Sequence, residues 1–515
     1  MPNRSTDIVF QLIKSLDKGE KRNFKLYVKR HSGGEELKIV QLFDAMDKMD
    51  EYDEVLLLKK NRSLKKQQLS NIKAHLYKQL LSSLRIIEDA ANIDMQLHEQ
   101  LDYARILYNK GLYLQSLKIL DKLKEIAKKY ELITYQLQAV IFEKKIEAMH
   151  ITRSMENRAE ELTVESNDIN THLTLTSKLS SLALELYGWY IKHGHARDDK
   201  DVHAVKAFFT TNLPAYELKQ MSFYEKLYLY QSYCWYGFIL QDLLMYYRNT
   251  QKWVDLFEEM PVMKNIEAVQ YIRGMHNLLG AHFNLNNYEK FNEAIKLFEA
   301  FSVSAEGQMN ANVRIQTFVY LNIAKINRHF LEGSFTEGLA LVPYIDEKLE
   351  EYKLHLDRHR VLVFYYKIAC LYFGAGQPEK AIDYLNKIIN WKMNLRTDLQ
   401  CYARLLHLIA HFELGNYQLL EYLIKSVYRF MAKMKNLSTA EEEVLKFLRK
   451  SFSLSSQKLI PAFKSLKEKL ESMEGNPLES RSFMYLDIIG WLQSKIDKVP
   501  VQEIIRRKFL ENKRK

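Results

Sequence analysis

The chain has 515 residues, more than one compact core accommodates, so several domains or an elongated array are expected. Glycine (17) and proline (8) are scarce, which excludes turn-rich β architectures, and an apolar content of 47% excludes disorder as the default state. The net charge of +11 sits at the ends, with 18 Lys/Arg against 13 Asp/Glu in residues 1–90 and 9 against 4 in residues 481–515, so no nucleic-acid groove is expected along the middle.

Residues 1–90 read as a separate basic bundle, with helices near 6–17, 20–30, 36–49, 51–60 and 64–89 and breaks at Ser32-Gly33-Gly34 and Asn61-Arg62-Ser63. The apolar run from Ile8 to Ile13 is interrupted by Gln11 and is too short for a signal-peptide core. Lys18, Lys21, Arg22, Lys25, Lys29 and Arg30 surround Phe24, Tyr27 and Val28 at helical spacing. They form either a solvated helix face or a contact for nucleic acid or an acidic partner.

Residues 91–435 carry a repeat. Five helix-breaking turns centre on Gly111, Asn286, Gly333, Gly376 and Gly415, and the last four are 47, 43 and 39 residues apart. Three residues before each turn stands an aromatic: Tyr108, Phe283, Phe330, Phe373 and Phe412. Two after come Tyr113, Tyr288, Phe335, Pro378 and Tyr417, and nine after come Leu120, Ile295, Val342, Leu385 and Ile424. This is the pattern of an antiparallel helix pair, and one pair cannot bury both its faces, so pairs must stack. Between about 131 and 260 the pattern is helical but degenerate. The aromatic run from Phe223 to Tyr247 is expected either to be buried between units or to line a peptide groove. Residues 436–515 read as capping helices, opened by Ser438 and Thr439 before Glu441 and Glu442. They are broken at Gly475-Asn476-Pro477 and end in a basic tail of Arg506, Arg507, Lys508, Lys513, Arg514 and Lys515.

Three cysteines, Cys234, Cys370 and Cys401, are too far apart for a disulfide framework or a cysteine zinc site, which fits a cytoplasmic protein. The most apolar stretch, Val361 to Phe373, contains Lys367 and falls short of the roughly 20 residues of a membrane span, so no membrane is expected as a partner. His355 and His359, like His407 and His411, have one-turn spacing, but a zinc site needs further ligands and no HExxH motif occurs. His282, His329 and His411 fall four residues before their turns and read as core aromatics. Neither a phosphate-binding glycine loop nor a GxSxG motif is present, so the expectation is a non-enzyme with no metal or cofactor.

The segment Tyr365 to Ile388, YYKIACLYFGAGQPEKAIDYLNKI, resembles a tetratricopeptide repeat, with small Ala369, Tyr372, the Gly376 turn and Ala381 in matching places. At the place of Ala381 the units at Gly111 and Gly415 have Ser116 and Leu420, and the Asn286 unit has Phe291. The resemblance implies an all-α, right-handed α-α superhelix whose first helices line a concave face for a peptide or protein. Counting back from the turns nominates Leu101, Asp102, Arg105, His276, Asn277, Asn327, Tyr366, Lys367 and Cys370 on that face, with Arg273 beside Asn277. Of the Lys and Asn positions with which the family clamps a terminal carboxylate, only Asn277 is matched, so a chaperone tail is not the expected ligand. The alternative is a regulatory protein whose amino-terminal unit contacts nucleic acid while the repeats sense a peptide.

Overall fold

The computed structural model describes residues 7–30, 36–61, 64–88, 92–150, 157–391, 397–434, 438–451, 454–473 and 487–514. The breaks expected at Ser32-Gly33-Gly34 and Gly475-Asn476-Pro477 lie outside them. The chain is all-α: among the described residues every regular element is a helix, and none of these helices is long and apolar enough to cross a membrane. The chain divides into two compact units, 1–169 and 170–515.

In the first unit five helices, α1 (Ile8–Ser15), α2 (Lys18–Arg30), α3 (Glu36–Asp47), α4 (Glu54–Lys60) and α5 (Lys66–Glu88), enclose Phe10, Ile13, Phe24, Leu42, Phe43, Leu76 and Leu80. Asp7 and Asp53 cap α1 and α4 by accepting from the first free backbone N–H groups. Three 17-residue helices follow: α6 (Ile93–Asn109), α7 (Tyr113–Lys129) and α8 (Ile133–Met149). The 36-residue α9 (Arg158–His193) contains the boundary between the units.

The second unit continues with α10 (Asp199–Asn212), α11 (Phe223–Ile239), α12 (Leu243–Glu259), the single turn α13 (Met263–Ile266), α14 (Ala268–Asn284), α15 (Tyr288–Val303), the turn α16 (Ala305–Gln308) and α17 (Ala311–Glu332). Then come the short α18 (Phe335–Gly338), α19 (Val342–Glu351), α20 (Arg358–Gly374), α21 (Pro378–Ile389), α22 (Thr397–Glu413) and α23 (Tyr417–Lys433). The partner of α17 is split into α18 and α19 around a tight turn at Leu339–Leu341, just before Pro343, which lacks the N–H a continuous helix needs.

All five turns singled out by the sequence join consecutive helices and adopt positive φ: +75° at Gly111, +52° at Asn286, +65° at Gly333, +76° at Gly376 and +70° at Gly415. At Gly376 the glycine N–H donates to Phe373 O (3.0 Å) and the Gln377 N–H to Tyr372 O (2.9 Å). This double bond closes the last carbonyls of a helix, and Gly111, Asn286 and Gly415 have it too. The aromatic three before the turn is therefore fixed in place, and it packs on the ring two after it: Tyr108 on Tyr113 and Phe330 on Phe335, both at 5.6 Å. A sixth such turn lies at Gln241, φ +59°, between α11 and α12, with Phe238 in the aromatic column. Periodicity missed it because a glutamine there gives no helix-breaking signal.

The chain closes with α24 (Thr439–Ser451), α25 (Ser456–Glu471), α26 (Ile488–Asp497) and α27 (Val501–Arg514). Ser438 and Glu441 form the expected reciprocal cap. The last helix also reaches back across earlier turns. Gln502 Oε1 accepts from the Thr336 N–H and Oγ1, both at 2.9 Å, Arg506 donates to Glu332 O (3.2 Å), and Phe509 meets Tyr288 edge-on at 4.7 Å.

Candidate ligand-binding faces

Residues nominated on α14, α17 and α20 meet on one shared face of the second unit. His276 of α14 stacks on Tyr320 of α17 at 4.3 Å between ring centres. Arg360 of α20 lies 5.6 Å from the same Tyr320 ring and donates to its hydroxyl at 3.3 Å. Lys367 of α20 donates to Asn327 Oδ1 at 2.6 Å and stands over the rings of Phe330 (5.4 Å) and Phe283 (5.9 Å), touching both neighbouring helices. Arg273 lies 5.5 Å from the ring of Tyr187 on α9.

These side chains share a strongly positive environment. Burial pushes the Lys367 ammonium down to about 8, and only the Cys370 thiol works against it. His276 is held down to about 3, first by burial and then by the charges of Lys367, Arg273, Arg360 and His359. Within this set Asp357, 3.1 Å from Arg360, is the carboxylate that supplies an ion pair. Arg273 and Lys367 have no ion-pair partner among the described residues.

Other nominated positions are committed to packing. Asn277 is 7% exposed and accepts from the Tyr246 hydroxyl at 3.2 Å, so it faces α12. Tyr366, Cys370 and the carbon skeleton of Asn327 are buried, and burial pushes the Cys370 thiol up to about 12. Tyr187, Tyr320, Phe283, Phe330 and Arg360 were not nominated. Tyr320 could have been, because it stands 13 residues before Gly333, as Arg273 stands before Asn286.

In the first unit the nominated Leu101 and Arg105 line a groove of about 430 Å³ between α6 and α8, with Tyr108, Gln138, Phe142 and Lys145. Leu101 is buried in its floor, while Arg105 is exposed at its rim and paired to Asp102 at 3.2 Å. Two of the basic residues of α2 are neutralised, Lys21 by Asp47 and Lys25 by Asp44, each at 2.7 Å. The tyrosines of α11 are half-buried and Trp235 is buried.

His407 and His411 pack ring against ring with their Nε2 atoms 3.3 Å apart, and burial holds His407 down to about 4. Among the described residues no group of three His, Cys, Asp or Glu side chains is placed to hold a metal ion. No family model, curated protein or solved structure matches this chain.

Proposed function

We propose that this protein is a non-enzymatic helical-repeat scaffold, a right-handed tetratricopeptide-like superhelix. Its partner is a peptide or protein segment bound on the face shared by α14, α17 and α20. One observation carries the reading: cations and aromatic rings from four helices meet on that face, with Arg273 against Tyr187, His276 and Arg360 against Tyr320, and Lys367 over Phe283 and Phe330. Aromatic and arginine side chains are the residue types that dominate binding surfaces, because they give large contact area and directed donors at small entropic cost. A solvated outer face has no use for stacked rings beneath unpaired cations. A cytoplasmic location accords with three buried cysteines that form no disulfide.

The experiment is site-specific photo-crosslinking in cells. A benzophenone side chain at Tyr320 is compared with one at Tyr344, which is 48% exposed on α19. Discrete adducts from position 320 alone are expected. The same adducts from both positions, or adducts from 344 only, would remove the assignment of the face.

A further inference from the structure

The groove between α6 and α8 is built from one face of each helix. Leu101, Arg105 and Tyr108 stand at i, i+4 and i+7 on α6, and Gln138, Ile141, Phe142 and Lys145 at i, i+3, i+4 and i+7 on α8. The rings of Tyr108 and Phe142 meet edge-on at 5.6 Å and tie the two walls together. Leu101 is buried, whereas Ile141 is 57% exposed and stands open to a ligand. None of the residues lining the groove is acidic, and its two cations come one from each wall. Arg105 pairs with Asp102 at 3.2 Å, but the same carboxylate takes Arg85 at 3.6 Å, so one negative charge serves two guanidinium groups. Lys145 lies 5.1 Å from the Tyr108 ring and has no ion-pair partner among the described residues.

We infer that this groove docks an acidic amphipathic helix of a partner protein. The site lies wholly in the first unit and does not rest on the function proposed above. The apolar stripe of the incoming helix covers Leu101, Tyr108, Ile141 and Phe142, and carboxylates beside the stripe face Arg105 and Lys145. The backbone of the walls argues for a helix over an extended segment. Both walls are helices whose backbone groups bond internally, so they offer no free edge to a strand. An extended segment would lay its own N–H and C=O groups on carbon, and the amides of Asn109 and Gln138 could meet only a few of them. A helix arrives with those groups already satisfied. Charge argues for a partner over a second copy: the ends of this chain hold 18 Lys/Arg against 13 Asp/Glu and 9 against 4, the wrong sign for a cationic groove. Nucleic acid would meet the cations but has no apolar stripe for the four side chains between them.

The test uses the full chain and fluorescent peptides with leucines at i, i+3, i+4 and i+7, glutamates beside them and degenerate residues elsewhere. One counterpart pool carries lysine for glutamate, another a central proline that breaks the helix, and palmitate serves as a small amphipathic anion. Ile141→Glu, Lys145→Glu and Arg105→Glu alter exposed side chains and are measured beside Leu297→Glu, an equally exposed position on α15. The glutamate pool is expected to bind about tenfold or more above the lysine and proline pools, each groove variant to lose about tenfold, and Leu297→Glu to lose nothing. Equal binding of the lysine pool overturns the acidic partner, and equal binding of the proline pool overturns the helix. Palmitate bound alone, no pool bound, or binding indifferent to all three groove variants overturns the site. Sedimentation of the chain by itself supplies the last outcome: dimers that Ile141→Glu dissolves would seat a second copy in the groove and overturn the partner.

Discussion

Gly333 and Gly376 allow one contact to be isolated, because they share a backbone conformation and differ in what surrounds them. Both have positive φ, +65° and +76°. An alanine at either place carries the strain of the left-handed region, about 1 kcal/mol. At Gly376 a Cβ would meet nothing within 4 Å, so that strain is the whole cost. At Gly333 it would stand 2.5 Å from Arg506 N, 2.9 Å from Arg506 Cα and 3.0 Å from Gln502 O. These are backbone atoms of α27 and cannot swing aside, so the helix must lift. Lifting breaks the two hydrogen bonds from Thr336 to Gln502 and the one from Arg506 to Glu332 O, each worth about 1 kcal/mol. The edge-on contact of Phe509 with Tyr288 adds about 0.5–1.5 kcal/mol. Gly333→Ala should therefore cost about 3.5–4.5 kcal/mol more than Gly376→Ala in urea melts, with hydrogen-exchange protection lost across Val501–Arg514. In a chain ending at Lys498 the two substitutions should become equal, because the contact is gone from both. Equal costs in the full chain, with α27 protected in both variants, would refute the docking of this helix on the Gly333 turn.

Two further outcomes follow from burial. Ala381 is fully buried at the start of α21, whereas Glu379 is exposed one position after Pro378, so Ala381→Trp should cost roughly 1–3 kcal/mol or more and Glu379→Trp within about 0.5. Urea melts on the two variants decide it, and equal tolerance would mean that the register of this helix pair is wrong. His282 and His407 are 2% and 8% exposed and are each held down to about 4, mainly by burial and secondarily by Lys290 for His282 and by His411 and Arg404 for His407. Their folded values lie below the unfolded value of about 6.5, so the unfolded chain takes up protons first as pH falls, and the stability they support is full above 6.5 and lost toward 4. Between pH 7 and pH 5 each should remove about 2 kcal/mol. Melts of His282→Gln and His407→Gln at both pH values should reveal a smaller difference than wild type, and an unchanged difference would mean that these rings are not buried neutral.

The helices and their turns were legible in the sequence because they depend on local chemistry. A glycine or asparagine in the left-handed region, an aromatic three residues earlier and a stripe at helical spacing are each set by neighbours along the chain, and all five turns appear in place. Asp7, Asp53 and the Ser438–Glu441 pair cap their helices for the same reason. Where the local signal was weak, at Gln241, the turn formed all the same, because packing of α11 on α12 can offset about 1 kcal/mol of backbone strain. The face proposed for binding was half legible. Counting from the turns found Arg273, His276 and Lys367, since helical periodicity determines which residues share a face. It also nominated Asn277, which turns to Tyr246, because side chains on one helix a few residues apart can face different neighbours. Which rings lie under which cations was decided only in three dimensions. Lys367 reaches Phe283 and Phe330, 84 and 37 residues before it in the chain, and Arg273 meets Tyr187, 86 residues before it. The return of α27 onto Gly333 belongs to the same class: its contacts span up to 174 residues, and no local propensity encodes a partner that distant.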